Sequence, residues 1–299
     1  MQALWMVLGA FFFATMAVCV KIASDWFSNS ELIFYRGLVG MLLIGLLARS
    51  RGVPLATAYP AMHAWRSVVG VVSLGAWFYA IAHLPLATAM TLNYLSSVWI
   101  AVFLVGGALL AWNPRRGAAA PLRQGPLVLT VLAGFAGVAM MLRPTIGQDQ
   151  AFAGLIGLLS GLTAAFAYLQ VMALGKLGEP ELRTVFYFAV GSALAGGAGM
   201  LATGLSPWDW HHALWLLPVG VLAALGQLCI TRAFGQGATL VVANLQYAGI
   251  VFGALYSVLL FDDVIPPLGW AGMALICASG IAATALRARA APHAPAEEH

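Results

Sequence analysis

The sequence predicts an all-α membrane protein of ten transmembrane helices, arranged as two inverted five-helix repeats. Three observations carry that expectation: the composition, a succession of apolar runs of spanning length, and a local pattern that recurs 151 residues along the chain. Of 299 residues, 62% are hydrophobic and 8% charged, with a mean hydropathy of +0.91. Soluble domains carry about 25% charged residues, so a water-soluble globule is excluded.

Apolar runs fall at 3–22, 31–48, 65–83, 86–110, 124–142, 152–174, 182–203, 212–233, 238–260 and 267–287. Each is close to the roughly 20 residues that cross a ~30 Å hydrocarbon core as a helix. The first begins almost at Met1 without a charged n-region or a small-residue cleavage site, so it is expected to stay as a helix and not to leave as a signal peptide. Arg49 and Arg51 follow the second run, Leu84 and Pro85 separate the third from the fourth, and Arg115, Arg116 and Arg123 lie between the fourth and fifth. Arg143 and Asp149 precede the sixth, and Lys176, Glu179 and Glu181 separate it from the seventh. The loops 205–212 and 261–267 bound the eighth to tenth, and the tail, rich in Ala, Pro and charge, is expected to be disordered. A β-barrel would show ten-residue alternating segments with a polar inner face, and the runs do not.

Basic residues test the count, because cytoplasmic loops carry the excess of Lys and Arg. With the N-terminus inside, one side collects Arg49, Arg51, Arg66, Arg115, Arg116, Arg123, Lys176, Arg183, Arg232, Arg287 and Arg289, 11 of 14. The other side holds Lys21, Arg36 and Arg143. Both termini are therefore expected in the cytoplasm. The formal charge of +4 then reflects orientation and lipid headgroups, and nucleic acid is not implied as a partner. Trp26, Trp65, Trp112, Trp208, Trp210 and Trp270 fall at span ends, where indole rings favour the headgroup level. Trp77 and Trp99 do not, which makes Trp77 a candidate wall of a cavity.

Residues 87–93 read Ala-Thr-Ala-Met-Thr-Leu-Asn and residues 238–244 read Ala-Thr-Leu-Val-Val-Ala-Asn, with Gly75/Gly226 and Ala82/Ala233 at the same offset. Pairing Pro121 with Pro267 and Gly134 with Gly280 needs an offset of 146, so the loop 113–123 is expected to be five residues longer than its counterpart. An odd number of spans per copy puts the second copy into the bilayer upside down. The repeats are expected at 1–148 and 149–287, with a cytoplasmic tail at 288–299. Inverted repeats meeting at the midplane are the architecture of secondary transporters.

Residues 9–21 followed by Phe34-Tyr35-Arg36 resemble the opening helix pair of the drug/metabolite transporter superfamily, specifically its EamA-type ten-helix exporters. Residues 253–281, with Phe261-Asp262-Asp263, Gly272 and Gly280, are similar to that family's closing hairpin. The chain departs from the pattern where the fourth and ninth helices often carry proline: Ser96-Ser97 and Gln246-Tyr247 stand there, and Trp112-Asn113 replaces an acidic turn. Tyr- and Trp-rich third and fourth spans make it most similar to the aromatic amino-acid exporters. The resemblance implies a multi-pass protein of the bacterial inner membrane that exports small metabolites, amino acids with aromatic or other hydrophobic side chains, by alternating access. The same superfamily also offers nucleosides, drugs and quaternary amines as substrates.

Helical neighbours three or four apart place the polar span residues on faces. Tyr79 and His83 align with Gly75 on the third span, and Asn93, Ser96 and Ser97 form a stripe bordered by Tyr94 on the fourth. Tyr168 lies on the sixth, Gln227 beside Thr231 on the eighth, and Asn244 with Tyr247 on the ninth. Together with Trp77 these are the expected substrate-binding residues of a central uncharged cavity. Amides and hydroxyls between helices also act as glue, worth about 0.6 kcal/mol each, and Gly70, Gly75, Gly226 and Gly253 read as close-packing positions.

All ten acidic residues fall in loops, span ends or the tail. Proton-driven carriers commonly use buried carboxylate relays, so either facilitated diffusion or coupling through a non-carboxylate group is expected here, facilitated diffusion being favoured. Lys21 and Arg36, on the outer side, are expected to snorkel to the interface, the alternative being an ion pair with Asp25 or Glu31 or attraction of a substrate carboxylate, and Arg232 could snorkel likewise. No His-Glu-x-x-His motif and no paired membrane carboxylates point to an enzyme. Cys19, Cys229 and Cys277 stand singly in different spans, so no metal, cofactor or disulfide framework is implied. The expected partners are a small-molecule substrate and the bilayer, with no obligate protein partner.

Overall fold

The computed structural model describes residues 2–100, 102–103, 129–130, 132–134, 136–137, 140, 148–236 and 245–290. Asn244, most of the expected fifth span, the loop 113–123 and residues 291–299 lie outside the described residues. All regular structure among the described residues is helical. The helices are α1 (Gln2–Ala23), α2 (Asn29–Ser50), α3 (Pro60–His83), α4 (Leu86–Tyr94), α5 (Gln148–Lys176), α6 (Glu181–Thr203), α7 (Leu216–Gln236), α8 (Ala248–Phe261) and α9 (Pro267–Ala290), with a single turn at Trp210–Ala213. Among the described residues six helices, α1, α2, α3, α5, α6 and α7 with its preceding turn, are long and apolar enough to cross a bilayer, and shorter apolar helices occupy Ala248–Phe261 and Pro267–Ser279.

Local chemistry sets the boundaries. Ser28 caps α2 in a capping box: its hydroxyl accepts the Glu31 N–H at 3.3 Å, and Glu31 Oε2 accepts the Ser28 N–H at 2.7 Å. Pro60 opens α3, five residues before the expected start, and Pro180 precedes α6, where a missing N–H costs nothing. Gly204, at φ +85°, closes α6. Helix α9 runs to Ala290, three residues into the stretch expected as tail.

The helices pair by a simple exchange rule. Replacing each of α1–α4 by the helix four labels later turns the α1·α7 contact into α3·α5, α2·α7 into α3·α6, and α1·α8 into α4·α5, and all six pairings occur. The α2·α6 and α4·α8 pairings are their own images and also occur. Two like units facing each other produce this pattern, as the 151-residue repeat requires.

The fourth helix is interrupted at Leu95 and the ninth span at Gln246–Tyr247, two sites again 151 residues apart. At both, short i→i+3 turns replace regular α-bonding: Val98 N–H donates to the Leu95 carbonyl (2.9 Å) and Gly249 N–H to that of Gln246 (3.0 Å). No proline is needed. The Ser97 hydroxyl donates to Gln246 Oε1 at 3.1 Å, tying one interruption to the other.

Small residues let the central pair approach closely. A Cβ on Gly37 of α2 would stand 2.8 Å from the Ala189 carbonyl oxygen, and one on Gly196 of α6 would stand 2.7 Å from Phe34 Cα. Backbone atoms cannot swing aside, so Gly196→Ala is expected to cost about 1–3 kcal/mol, the usual range for overpacking. A lower unfolding midpoint in detergent would show it, and an unchanged midpoint would contradict the packing.

Candidate functional site

A cavity of about 50 Å³ lies between the two halves, well short of the ~300–1,000 Å³ of an open small-molecule site, so a solute fits only once the halves part. Helix α1 contributes Phe13, α2 Arg36, and α3 Arg66, Gly70, Ser73, Leu74 and Trp77; α4 adds Asn93 and Tyr94. The second half supplies Ala164, Ala167 and Tyr168 from α5, Phe188 from α6 and Gln227 from α7. Both halves therefore build one site, and the site spans every pairing of the exchange rule except α8.

Five of the ten sequence candidates line it: Trp77, Asn93, Tyr94, Tyr168 and Gln227. Asn93 has a second role, since its Nδ2 donates to Ser160 Oγ at 3.2 Å and joins α4 to α5. Tyr94 is fully buried with its ring against Gly249, and its hydroxyl finds no partner among the described residues; the same holds for the Trp77 Nε1. Gln227 donates to Thr231 at 3.4 Å and Tyr168 stacks on Phe234 at 5.2 Å. Four candidates lie elsewhere among the described residues. Tyr79 stacks on His83 at 4.1 Å near the end of α3, where His83 is exposed, Ser97 bonds Gln246, and Tyr247 is buried outside the lining. The tenth, Asn244, falls outside the described residues.

Charge is the main correction. The expected uncharged cavity holds two guanidiniums, Arg36 and Arg66, whose residues are 5% and 3% exposed. Arg36 does not snorkel to the outer interface, and Arg66 does not sit in a cytoplasmic loop. Arg36 is seven residues into α2 and Arg66 six residues into α3, so each lies roughly 10 Å along its helix. The two helices run in opposite directions, and the side chains converge on one ring: the Arg36 and Arg66 Cζ atoms lie 4.9 and 4.2 Å from the Phe188 centroid. Gly70 makes room for this, because a Cβ there would collide with the Arg66 guanidinium and stand 2.7 Å from Phe188. Lys21 also turns inward, donating to the carbonyls of Leu84 (2.8 Å) and Ile81 (3.3 Å) at the end of α3, while Arg232 lies over Trp5 at 5.0 Å. Phe13, Arg66, Ser73 and Phe188 were missed from the sequence, and Arg36 was raised only as the alternative to snorkelling; a charged residue inside a spanning run was the available signal.

A carboxylate latch closes each side of the bundle. Glu179, just before α6, accepts from Thr57 Oγ1 (2.9 Å) in the α2–α3 loop and from Arg183 Nη1 (3.0 Å), and lies 3.3 Å from His63 Nε2. Arg183 and Tyr187 extend the tie to the Pro54 and Leu55 carbonyls, at 2.8 and 3.0 Å. On the opposite face Glu31, at the start of α2, accepts the N–H and hydroxyl of Ser206 (2.9 and 2.6 Å) in the loop after α6. Trp208 of that loop packs on Phe27, and Trp26 stacks on His212 at 3.6 Å. The exchange rule maps one latch onto the other. Burial works to raise the pKa of Glu179, but hydrogen bonds from Thr57, Arg183 and His63, with the charge of Arg183, hold it below the usual carboxylate range. Among the described residues no group of three or more His, Cys, Asp or Glu could hold a metal ion.

Two exchangeable halves around one cavity define a multi-pass membrane carrier. The profile of the EamA-like transporter family matches residues 1–106. The pseudopaline exporter CntI of Pseudomonas aeruginosa is 34% identical over 276 residues, 92% of this chain and 93% of that one. The chain belongs to the EamA-like transporter family, whose members are transporters and not enzymes. It is also similar to a riboflavin transporter of Rhizobium johnstonii, 27% identical over 93% of this chain and 89% of that one. One solved crystal structure superposes with a TM-score of 0.67 over 99% of both chains at 16% identity, a likeness of fold. The narrower likeness to aromatic amino-acid exporters is not carried by these relatives.

A Cβ at position 70 should displace Arg66 or Phe188 at a cost of about 1–3 kcal/mol, so Gly70→Ala is expected to weaken apparent affinity about five- to hundredfold for any exchanged solute. Unchanged affinity would remove the Arg66–Phe188 contact from the site. A carboxylate whose pKa falls on folding contributes stability above its unfolded value near ~4.3 and loses it as pH drops through the folded value. Glu179→Gln should therefore lower the unfolding midpoint at neutral pH, by about 1–3 kcal/mol, and the gap to the parent protein should narrow below pH ~4. A gap that stays constant on acidification would contradict the latch.

Proposed function

We propose that the chain exports a small amino-acid-like organic solute from the cytoplasm across a bacterial plasma membrane by alternating access. The repeats, 1–148 and 149–287, are the two rocking units, and both termini face the cytoplasm. The observation that carries this is the pairing of one shared cavity with two exchange-related latches. A carrier must close one side while opening the other, and two equivalent closures in one fold are what that cycle needs. In this orientation Glu179 seals the cytoplasmic side and Glu31 the outer side. The basic-residue bias still supports the orientation after Arg36 and Arg66 are withdrawn from it as buried groups. Export is favoured by the likeness to a protein named as an exporter. Facilitated movement fits a cavity lined, among the described residues, by no carboxylate.

Purified protein in proteoliposomes should exchange at least one solute from a labelled panel of amino acids, their acidic derivatives, nucleosides and riboflavin. Exchange of none, by protein shown to be folded, would sink the carrier reading. With the native cysteines replaced, Ala167→Cys on the cavity wall reports which side is open. Glu179→Gln should speed its modification by an impermeant thiol reagent from the cytoplasmic side and Glu31→Gln from the outer side. The reverse pattern would invert the assigned orientation.

A further inference from the structure

We infer that Arg36 and Arg66 form the recognition site for a small organic oxyanion, so that the exported solute carries net negative charge. This rests on the export reading above and narrows its substrate class.

A guanidinium does not lose its proton in a protein and offers five N–H donors. Buried in a membrane protein without a partner it is costly, so its retention points to a working role. The protein satisfies little of this pair. Arg36 Nη1 reaches Ser192 Oγ at 3.5 Å, while Arg36 Nε and both Arg66 Nε and Nη1 find no acceptor among the described residues. Neither arginine is ion-paired among the described residues: the nearest latch carboxylates are engaged elsewhere, Glu31 by Ser28 and Ser206 and Glu179 by Thr57, His63 and Arg183. Phe188 gives both cations a ring face, which attracts a cation and cannot neutralise it. Two like charges thus share one part of a cavity whose other polar groups are the neutral Ser73, Trp77, Asn93, Tyr94, Tyr168 and Gln227.

The ligand that completes such a site brings the missing acceptors and the missing charge. Carboxylate and phosphate oxygens match the guanidinium fork. A zwitterionic amino acid cancels none of the excess charge, and its ammonium group would meet two cations and no acid. The amides and aromatic rings opposite suit a carbon skeleton carrying an apolar part. An anionic cargo also answers the coupling question. The arginines return with the carrier, so each cycle moves only the charge of the solute, and an inside-negative potential drives an anion outward without a carboxylate relay.

Counterflow in proteoliposomes with four labelled probes tests this: N-acetylglutamate, phenyl phosphate, phenylalanine and choline. The expected result is exchange of one or both anions at a rate about tenfold or more above phenylalanine and choline, the preference for carboxylate or phosphate naming the oxyanion. Arg36→Gln and Arg66→Gln should each lower anion exchange about tenfold or more, with Lys at either position restoring part of it. Selectivity of the unaltered protein needs no variant to fold. Phenylalanine, choline or another neutral or cationic solute exchanging as fast as either anion would overturn the oxyanion site and leave the carrier standing. No exchange of these probes or of the wider panel would remove both.

Discussion

Two arginine side chains reach one phenyl ring in the middle of the bundle, and among the described residues neither meets an acid there. Placing them costs free energy that the bilayer cannot repay, because water is absent and lipid offers no counter-ion. The surroundings show how the pair is kept. Gly70 leaves space for Arg66, Ser192 takes one N–H of Arg36, and Phe188 covers both cations. The rest of the cavity is neutral and amphipathic. A site balanced in this way is left wanting an anion.

The exchange rule explains how such a site can face two solutions in turn. Interruptions at Leu95 and Gln246 place local turns at equivalent points of the two crossing helices, joined by the Ser97 bond. Glycines at the α2·α6 crossing bring backbones together without large side chains to interlock. The Glu179 and Glu31 latches then differ in partners but not in logic: each is a carboxylate at a helix start that holds the loop of the opposite half. Each latch is a few hydrogen bonds around a buried carboxylate at one end of the bundle.

Much of this was legible in the sequence. Composition and run length gave the helices, and the 151-residue offset recurs in the helix pairings; the interruptions were not anticipated, because Ser96-Ser97 and Gln246-Tyr247 stand where the family often carries proline. Trp77, Asn93, Tyr94, Tyr168 and Gln227 were found because polar or aromatic groups inside an apolar run stand out. The arginines were lost for a geometric reason. The third span was expected to start at residue 65, which puts Arg66 at the interface, whereas α3 starts at Pro60 and carries it more than a turn deeper. Arg36 near the start of a run looked able to snorkel, and only the burial of the helix that carries it shows otherwise. Phe188 is one apolar residue among many. Tyr79 and Ser97 share spans with cavity residues but face other helices or the span end, and Tyr247 lies on a span that adds no described residue to the lining, which spacing alone does not reveal. The helix interruptions lack proline, since paired polar side chains and short turns make them.

The sign of the charge moved is the most direct test of the central claim. Proteoliposomes adsorbed on a solid-supported membrane and given a sudden external step of N-acetylglutamate should produce a transient current corresponding to negative charge entering the vesicle. Uptake of labelled N-acetylglutamate with no accompanying current, or a current of the opposite sign, would contradict an uncompensated anion carried past Arg36 and Arg66.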